Sequence, residues 1–246
     1  MSGVALVTGA SRGVGRATAR ALAEAGFRTI LAARDAERLA ATVAECGPGA
    51  RAETADVADP DAVDTLFAGI EAREGRLDIV FNNAGVFLPA AAVGDVTFED
   101  WRRVLSVNLD GAFLVARAAF RMMRDQDPRG GRIINNGSIS AHVPRPGSVA
   151  YTASKHAITG LTRAIALDGR AIGIACGQID IGNAASDMTA RMPEGVPQPD
   201  GRIAAEPVID AQHVARAVVE MARLPLDVSV PFMTVMATGM PYIGRG

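Results

Sequence analysis

Tyr151 and Lys155 stand four residues apart, and Ser138 precedes the tyrosine by thirteen. A Tyr-x-x-x-Lys spacing puts both side chains on one face of a helix, one turn apart. A phenol is a poor acid or base at neutral pH, because its ordinary pKa is about 10. An ammonium beside it lowers the cost of the phenolate. A shift of three units takes about 4 kcal/mol, within reach of one ammonium and a second nearby cation. Alone, the spacing fits equally a half-buried tyrosine beside a solvated lysine. The elements that hold the pair have to decide between these.

Those elements alternate strand and helix from the first residues. Val4–Thr8 reads as a strand, Arg12–Ala25 as a helix stopped by Gly26, Thr29–Ala33 as a second strand and about Asp35–Cys46 as its helix, broken by Gly47-Pro48-Gly49. A third strand ends near Asp56, and Asp59-Pro60 opens the next helix with proline in its first turn. Leu77–Asn82, Arg132–Gly137, Ile172–Asp180 and Phe232–Ala237 supply further strands. Phe98–Arg124 reads as one long helix, Val149–Asp168 as the helix carrying Tyr151 and Lys155, and Pro207–Arg223 as the last helix.

Near-continuous apolar strands between helices predict one α/β domain over residues 1–246, a doubly wound parallel sheet of about seven strands with helices on both faces. Residues of about 183–207, rich in Pro, Gly and Met, read either as a substrate lid or as an irregular surface loop. In such sheets ligands bind at the carboxyl ends of the strands, so chemistry is expected just after strands one, two, four and five.

Composition narrows the function classes. The 246 residues are 49% apolar but only 4% aromatic, enough for one full core of closely packed helices and sheet. Basic and acidic residues number 25 and 27, a net charge of −2 with no basic stripe, which argues against nucleic acid or an anionic membrane as partner. Cys46 and Cys176 form no metal-like or disulfide pattern. The N-terminus lacks a signal-peptide pattern, and no stretch of about 18 apolar residues suggests a membrane span, so a soluble cytoplasmic protein is expected.

Thr8-Gly9-Ala10-Ser11-Arg12-Gly13-Val14-Gly15 follows the first strand and opens the first helix. Glycines there let the backbone turn and approach a pyrophosphate, and the helix start supplies oriented N–H groups. The first gap is longer than in G-x-G-x-x-G, and an ordinary tight turn has the same composition. An acidic residue at the end of strand two would hold a ribose 2′-hydroxyl. That place is Ala33, followed by Arg34. Arg34 and Arg12 either flank a 2′-phosphate or are surface cations. Arg12 in a first helical turn opposes the helix dipole unless an anion is near. Asp56 either accepts from an adenine amino group or caps a helix.

With these motifs on one chain, residues of roughly 3–180 resemble the short-chain dehydrogenase/reductase family. The glycine loop matches T-G-x-x-x-G-x-G, Asp56-Val57 the family's adenine contact, and Asn82-Asn83-Ala84-Gly85 its turn after strand four. Asn108, Ser138, Tyr151 and Lys155 match its catalytic tetrad in order and spacing. The resemblance implies a Rossmann-type fold and hydride transfer between NADP(H), or alternatively NAD(H), and a small or medium carbonyl or secondary alcohol. Tyr151 would then be the general acid in reduction, Ser138 would hold the substrate oxygen, and Lys155 would tune the phenol and bind the nicotinamide ribose. Asn108 would organise a water linking Lys155 to solvent. Asn82, Ala84 and Gly85 would lie beside the adenosine ribose, Asn82 also serving backbone groups at the strand end. A non-catalytic dinucleotide-binding regulator is the reading from another class.

The chain departs from the family after strand six. Where a Pro-Gly pair is usual it has Ile181-Gly182, and Ser186 takes the place of a threonine. Isoleucine keeps its N–H and a freer φ, so a looser turn is expected there. Ile181 would still meet the cofactor carboxamide through its backbone, and Asn183 and Ser186 would meet the carboxamide or diphosphate. Phe87, Leu88, His142, Val143, Pro144, Met188 and Met192 are expected around the substrate, with His142 either offering a polar contact or standing as an ordinary loop residue. Long Ala-rich helices imply, through the resemblance, pairing between subunits as a homotetramer or homodimer.

Overall fold

A computed structural model of the chain describes residues 3–186, 189–190 and 192–243. Along β1 (Val4–Thr8), successive side chains enter two different cores. Val4 and Leu6 join one, and Ala5 and Val7 the other. Such strands are apolar on both faces because helices cover both.

The sheet has seven strands in the order β3 (Ala50–Thr54), β2 (Arg28–Ala33), β1, β4 (Ile79–Asn82), β5 (Gly131–Asn136), β6 (Ile174–Ile181) and a last strand at Phe232–Val235. All of these neighbours pair in parallel. Strand order reverses between β1 and β4, and the crevice of a doubly wound sheet lies at that point. One face is covered by α1 (Gly13–Glu24), α2 (Ala36–Cys46) and the helix Ala211–Arg223, through Leu22, Leu39 and Val214 among others. The other is covered by α3 (Pro60–Glu74), α5 (Ala112–Asp125) and α6 (Val149–Gly169), through Ile70, Val115, Met123 and Ile165. Each fully buried Leu, Ile or Val contributes about 1.5–3 kcal/mol.

The helix expected at Phe98–Arg124 is not uniform. It consists of α4 (Phe98–Leu105), a π-helical segment at Ser106–Gly111 and then α5. Gly111 lies where a Cβ would come within 2.8 Å of Val57, so the rod passes very close to the loop after β3. The helix expected from Pro207 begins later, at Ala211. Asp210 caps it by accepting from Gln212 N, and Ile209 upstream is held in a bridge with Ala184. The 183–207 segment carries a two-residue antiparallel pair, β7 (Val196–Pro197) with β8 (Ile203–Ala204). In chain order the 211–223 helix is α7 and the 232–235 strand is β9.

Strand β6 also runs one residue further than expected. Ile181 pairs with Val235, and the Gly182 N–H donates to the Val235 carbonyl at 2.9 Å. A proline would end a ladder at this point, whereas a β-branched residue extends it. The expected looser turn at Ile181 is therefore a continued strand.

Candidate active site

β1 runs into Gly9, whose φ of 65° turns the chain toward α1. A Cβ on Gly15 would lie 2.2 Å from the Gly9 carbonyl oxygen, so the loop closes on itself only with hydrogen there. Asp35, Asp59, Thr97 and Asp210 each cap a helix with a side-chain oxygen, but Arg12 makes no such bond at the start of α1. Among the described residues, the first N–H groups of α1 thus have no capping side chain where Gly13, Val14 and Gly15 line a cleft. Uncapped donors on a glycine cradle fit a phosphate.

That cleft, about 630 Å³, follows the carboxyl ends of the strands. Gly9, Ser11, Arg12, Gly13, Val14, Gly15, Arg34, Asp56, Val57, Asn83, Ala84, Gly85, Ser138, Tyr151, Lys155, Ile181, Gly182 and Ser186 all line it. Asn82 and Asn108 do not. Asn82 is buried and donates to the Ala112 carbonyl (2.8 Å) and Asn135 Oδ1 (3.1 Å), a purely structural position. The Asn108 amide clasps Val86, accepting from its N–H at 2.7 Å and donating to its carbonyl at 2.9 Å. It braces the loop that carries Phe87, and its side chain is committed there.

A polar chain links the two ends of the cleft. Thr8 Oγ1 accepts from the N–H groups of Asn83 (2.9 Å) and Ala84 (3.0 Å), and Asn83 Nδ2 donates to the Thr8 carbonyl (2.8 Å). Asn136 Nδ2 donates to Asn83 Oδ1 (2.8 Å), and Lys155 Nζ donates to the Asn136 carbonyl (2.7 Å).

Tyr151 and Lys155 project from α6 as their spacing predicts. Lys155 Nζ lies 5.6 Å from the centre of the Tyr151 ring, and Phe87 meets that ring edge-on at 5.2 Å. Burial lowers the Lys155 pKa to about 8, partly opposed by the Asp180 carboxylate. Burial raises the Tyr151 pKa. A hydrogen bond with Ser138 and the positive charge of Arg145 pull it back down, and Asp180 raises it. Arg145 is thus a second cation acting on the phenol, besides the Lys155 that the sequence pointed to. Asp180, almost fully buried, anchors Ser138. Its Oδ1 accepts from Ser138 N at 3.0 Å and from Gln178 Nε2 at 2.7 Å.

His142 does not line the cleft. Its Nε2 lies 3.0 Å from Asp180 Oδ2, an internal pairing of a loop residue and not a substrate contact. Val143 and Pro144 also lie outside the cleft wall, Phe87, Leu88 and Met192 lie within it, and Met188 is outside the described residues. At the other end, Arg34 lies 3.6 Å from Asp56, which also accepts from Ala58 N. Arg38, in the first turn of α2, lines the same end, and Asp35 is occupied in capping α2 through Arg38 N. Ser186 packs against Gly13, 3.0 Å from the place of its missing Cβ, whereas the Asn183 side chain is turned to Glu206 and Arg145.

Arg38, Arg145, Asn136 and Asp180 are site residues that the sequence reading missed. An acidic residue within an otherwise apolar strand at Asp180 was a usable signal. Nothing local marks Arg145.

A model of the short chain dehydrogenase family matches residues 3–196. The chain belongs to the short-chain dehydrogenase family. Among family relatives, the 3beta-hydroxysteroid dehydrogenase of Mediterraneibacter gnavus is 36% identical over 206 residues, 82% of this chain and 74% of that protein. The 3-oxoacyl-[acyl-carrier-protein] reductase of Synechocystis is 35% identical over 77% of each chain. The cis-4-hydroxycyclohexanecarboxylate dehydrogenase of Sinomonas cyclohexanicum is 35% identical over 82% of this chain and 83% of its own. The solved structure of 3-ketoacyl-(acyl-carrier-protein) reductase from Brucella melitensis, complexed with NADH, superposes with a TM-score of 0.86 over 96% of this chain and 97% of that one, at 23% identity, and shares its fold. As a member of the short-chain dehydrogenase family the chain is an oxidoreductase with a nucleotide-binding Rossmann-type sheet, and no helix among the described residues is long and apolar enough to cross a membrane.

Proposed function

We propose that the protein is an NADP(H)-dependent reductase of a small or medium carbonyl, or catalyses the reverse oxidation of a secondary alcohol. One observation carries this reading: Ser138, Tyr151 and buried Lys155 line a single cleft with a glycine loop flanked by Arg12, Arg34 and Arg38. A nicotinamide dinucleotide, when bound, supplies or takes up the hydride. Ser138 holds the substrate oxygen beside the Tyr151 hydroxyl, and the phenol gives that oxygen its proton in reduction. The Asp180 carboxylate fixes the backbone of Ser138, and Phe87 packs the ring of Tyr151 in place. Lys155, directed by the Asn136 carbonyl, binds ribose hydroxyls, and Asn108 steadies the wall at Val86. The uncapped start of α1 and Gly13–Gly15 take the diphosphate, with Ser186 beside them. Asp56 and Val57 border the adenine, and Ile181 and Gly182 the carboxamide.

NAD is the alternative cofactor. The arginines favour NADP, because guanidinium groups match a 2′-phosphate and Asp35, next to Arg34 in the chain, is engaged at the α2 cap. A homo-oligomer, tetramer or dimer, is part of the reading. Phe113 on α5, Leu167 on α6 and Phe232 on β9 are exposed, and light scattering of the purified protein measures the assembly. Two free cysteines suit a cytoplasmic protein. The deciding experiment is a screen of ketones and secondary alcohols with NADPH, NADP, NADH and NAD. Turnover with a clear preference for NADPH is expected, and a clear preference for NADH sinks the cofactor assignment.

A further inference from the structure

The substrate end of the cleft is walled by an ion pair, Arg145 with the buried Glu206. Arg145, on the loop before α6, lines the cleft with its side chain 16% exposed, and Glu206 stands behind it at 1%. Arg145 Nη2 donates to Glu206 Oε2 and to Asn183 Oδ1 (2.7 Å). Asn183 Nδ2 donates to the same Glu206 oxygen at 3.0 Å, and Gln198 Nε2 donates to Glu206 Oε1 at 3.1 Å. The Glu206 N–H donates to the Met192 carbonyl at 3.0 Å, and Met192 Sδ lies 3.2 Å from Arg145 Nη1. One carboxylate therefore gathers the end of β6, the β7–β8 hairpin and the loop entering α6.

The other side of Arg145 leads toward Tyr151. The Arg145 carbonyl accepts from Ser148 Oγ at 2.7 Å, and that hydroxyl lies 2.9 Å from Thr152 Oγ1, in the first turn of α6 beside Tyr151. The hairpin cannot leave this wall without unpairing a buried carboxylate from a buried guanidinium, and a buried charge stripped of its partner is strongly disfavoured.

We propose that Glu206 and Arg145 are positioning residues that clamp the 192–206 segment across the substrate end of the cleft and so set the KM for the carbonyl or alcohol. This rests on the reductase reading. Arg145 and Tyr151 line the same cleft.

The test uses the full chain with Glu206→Gln, which keeps the shape but removes the charge, and Arg145→Lys, which keeps the charge but removes the fork. Both are expected to raise the substrate KM by about tenfold or more, with kcat changed less than about threefold and NADPH affinity by fluorescence changed less than about twofold. Trypsin cleavage at Arg202, in the hairpin turn, is expected to speed up by about tenfold while the thermal midpoint of the whole protein stays close to wild type. Asp200→Asn, in the same turn but outside the pair, is expected to leave KM unchanged. Wild-type KM and wild-type cleavage in both variants overturn the clamp. So does a parallel fall of KM performance, NADPH affinity and thermal midpoint, which marks a merely structural pair. Should the wild type turn over no carbonyl or alcohol, the reductase reading fails by itself. Cleavage at Arg202 still decides the clamp, an unchanged rate in both variants sinking it.

Discussion

Lys155 Nζ donates to the Asn136 carbonyl at 2.7 Å from a position almost fully closed to solvent. Its pKa of about 8, against an ordinary 10.5, means that the folded state binds fewer protons than the unfolded chain between those values. Stability from this group therefore rises with pH through that window, and the cost of burying the charge is fully present below pH 8. Lys155→Met is expected to abolish turnover yet stabilise the fold at neutral pH by up to about 3 kcal/mol. Urea unfolding at about pH 7 and about pH 10 checks this, and the gain should shrink at the higher pH.

Tyr151→Phe removes the proton donor but leaves the ring that packs against Phe87. The expected loss in kcat is about 10²–10⁴-fold, with NADPH affinity near wild type. Undiminished reduction of every accepted carbonyl would exclude Tyr151 as the acid.

Ser138→Ala deletes the hydrogen bond that most lowers the Tyr151 pKa, and the burial that raises it remains. The phenol is then deprotonated at higher pH. In alcohol oxidation, where the phenolate is the reactive form, the rise of kcat with pH should move upward along the pH axis. The pH profile of oxidation measures the displacement, and a fixed profile would contradict the Ser138–Tyr151 link.

Arg34→Ala and Arg38→Ala each remove one cation from the end of the cleft beside Asp56. A charge-assisted bond contributes about 1.5–3 kcal/mol, so each variant should weaken NADPH by about 10–100-fold and leave NADH little changed. Fluorescence titrations with both cofactors measure the ratio.

Local features were legible in the sequence. The alternation of apolar runs with Ala-rich helices gave the parallel sheet, because each strand needs cover on both faces. The glycine loop, Tyr151 and Lys155 were legible because each motif lies within one or two turns of chain. What stayed hidden depends on contacts between distant residues. Arg145 and Glu206 are separated by 61 positions, and His142 and Asp180 by 38. No spacing rule reports such pairs, and a lone histidine near a pocket looks the same whether it faces substrate or a buried carboxylate. The clasp of Asn108 on Val86 was hidden for another reason: the π-helical segment inserts its extra residue without interrupting the apolar pattern of the rod.

That segment also constrains chain length. One residue of an α-helix corresponds to about 100° of rotation. The wide turn at Ser106–Gly111 holds one residue more than an α-turn, so a single deletion there that restored regular pitch would leave Val115, Ala119 and Met123 on the sheet. A deletion in the regular turns of α4 or α5 would instead rotate the rest of the rod by that angle. Gaps among natural variants of this rod should therefore fall within Ser106–Gly111 and not in its regular turns.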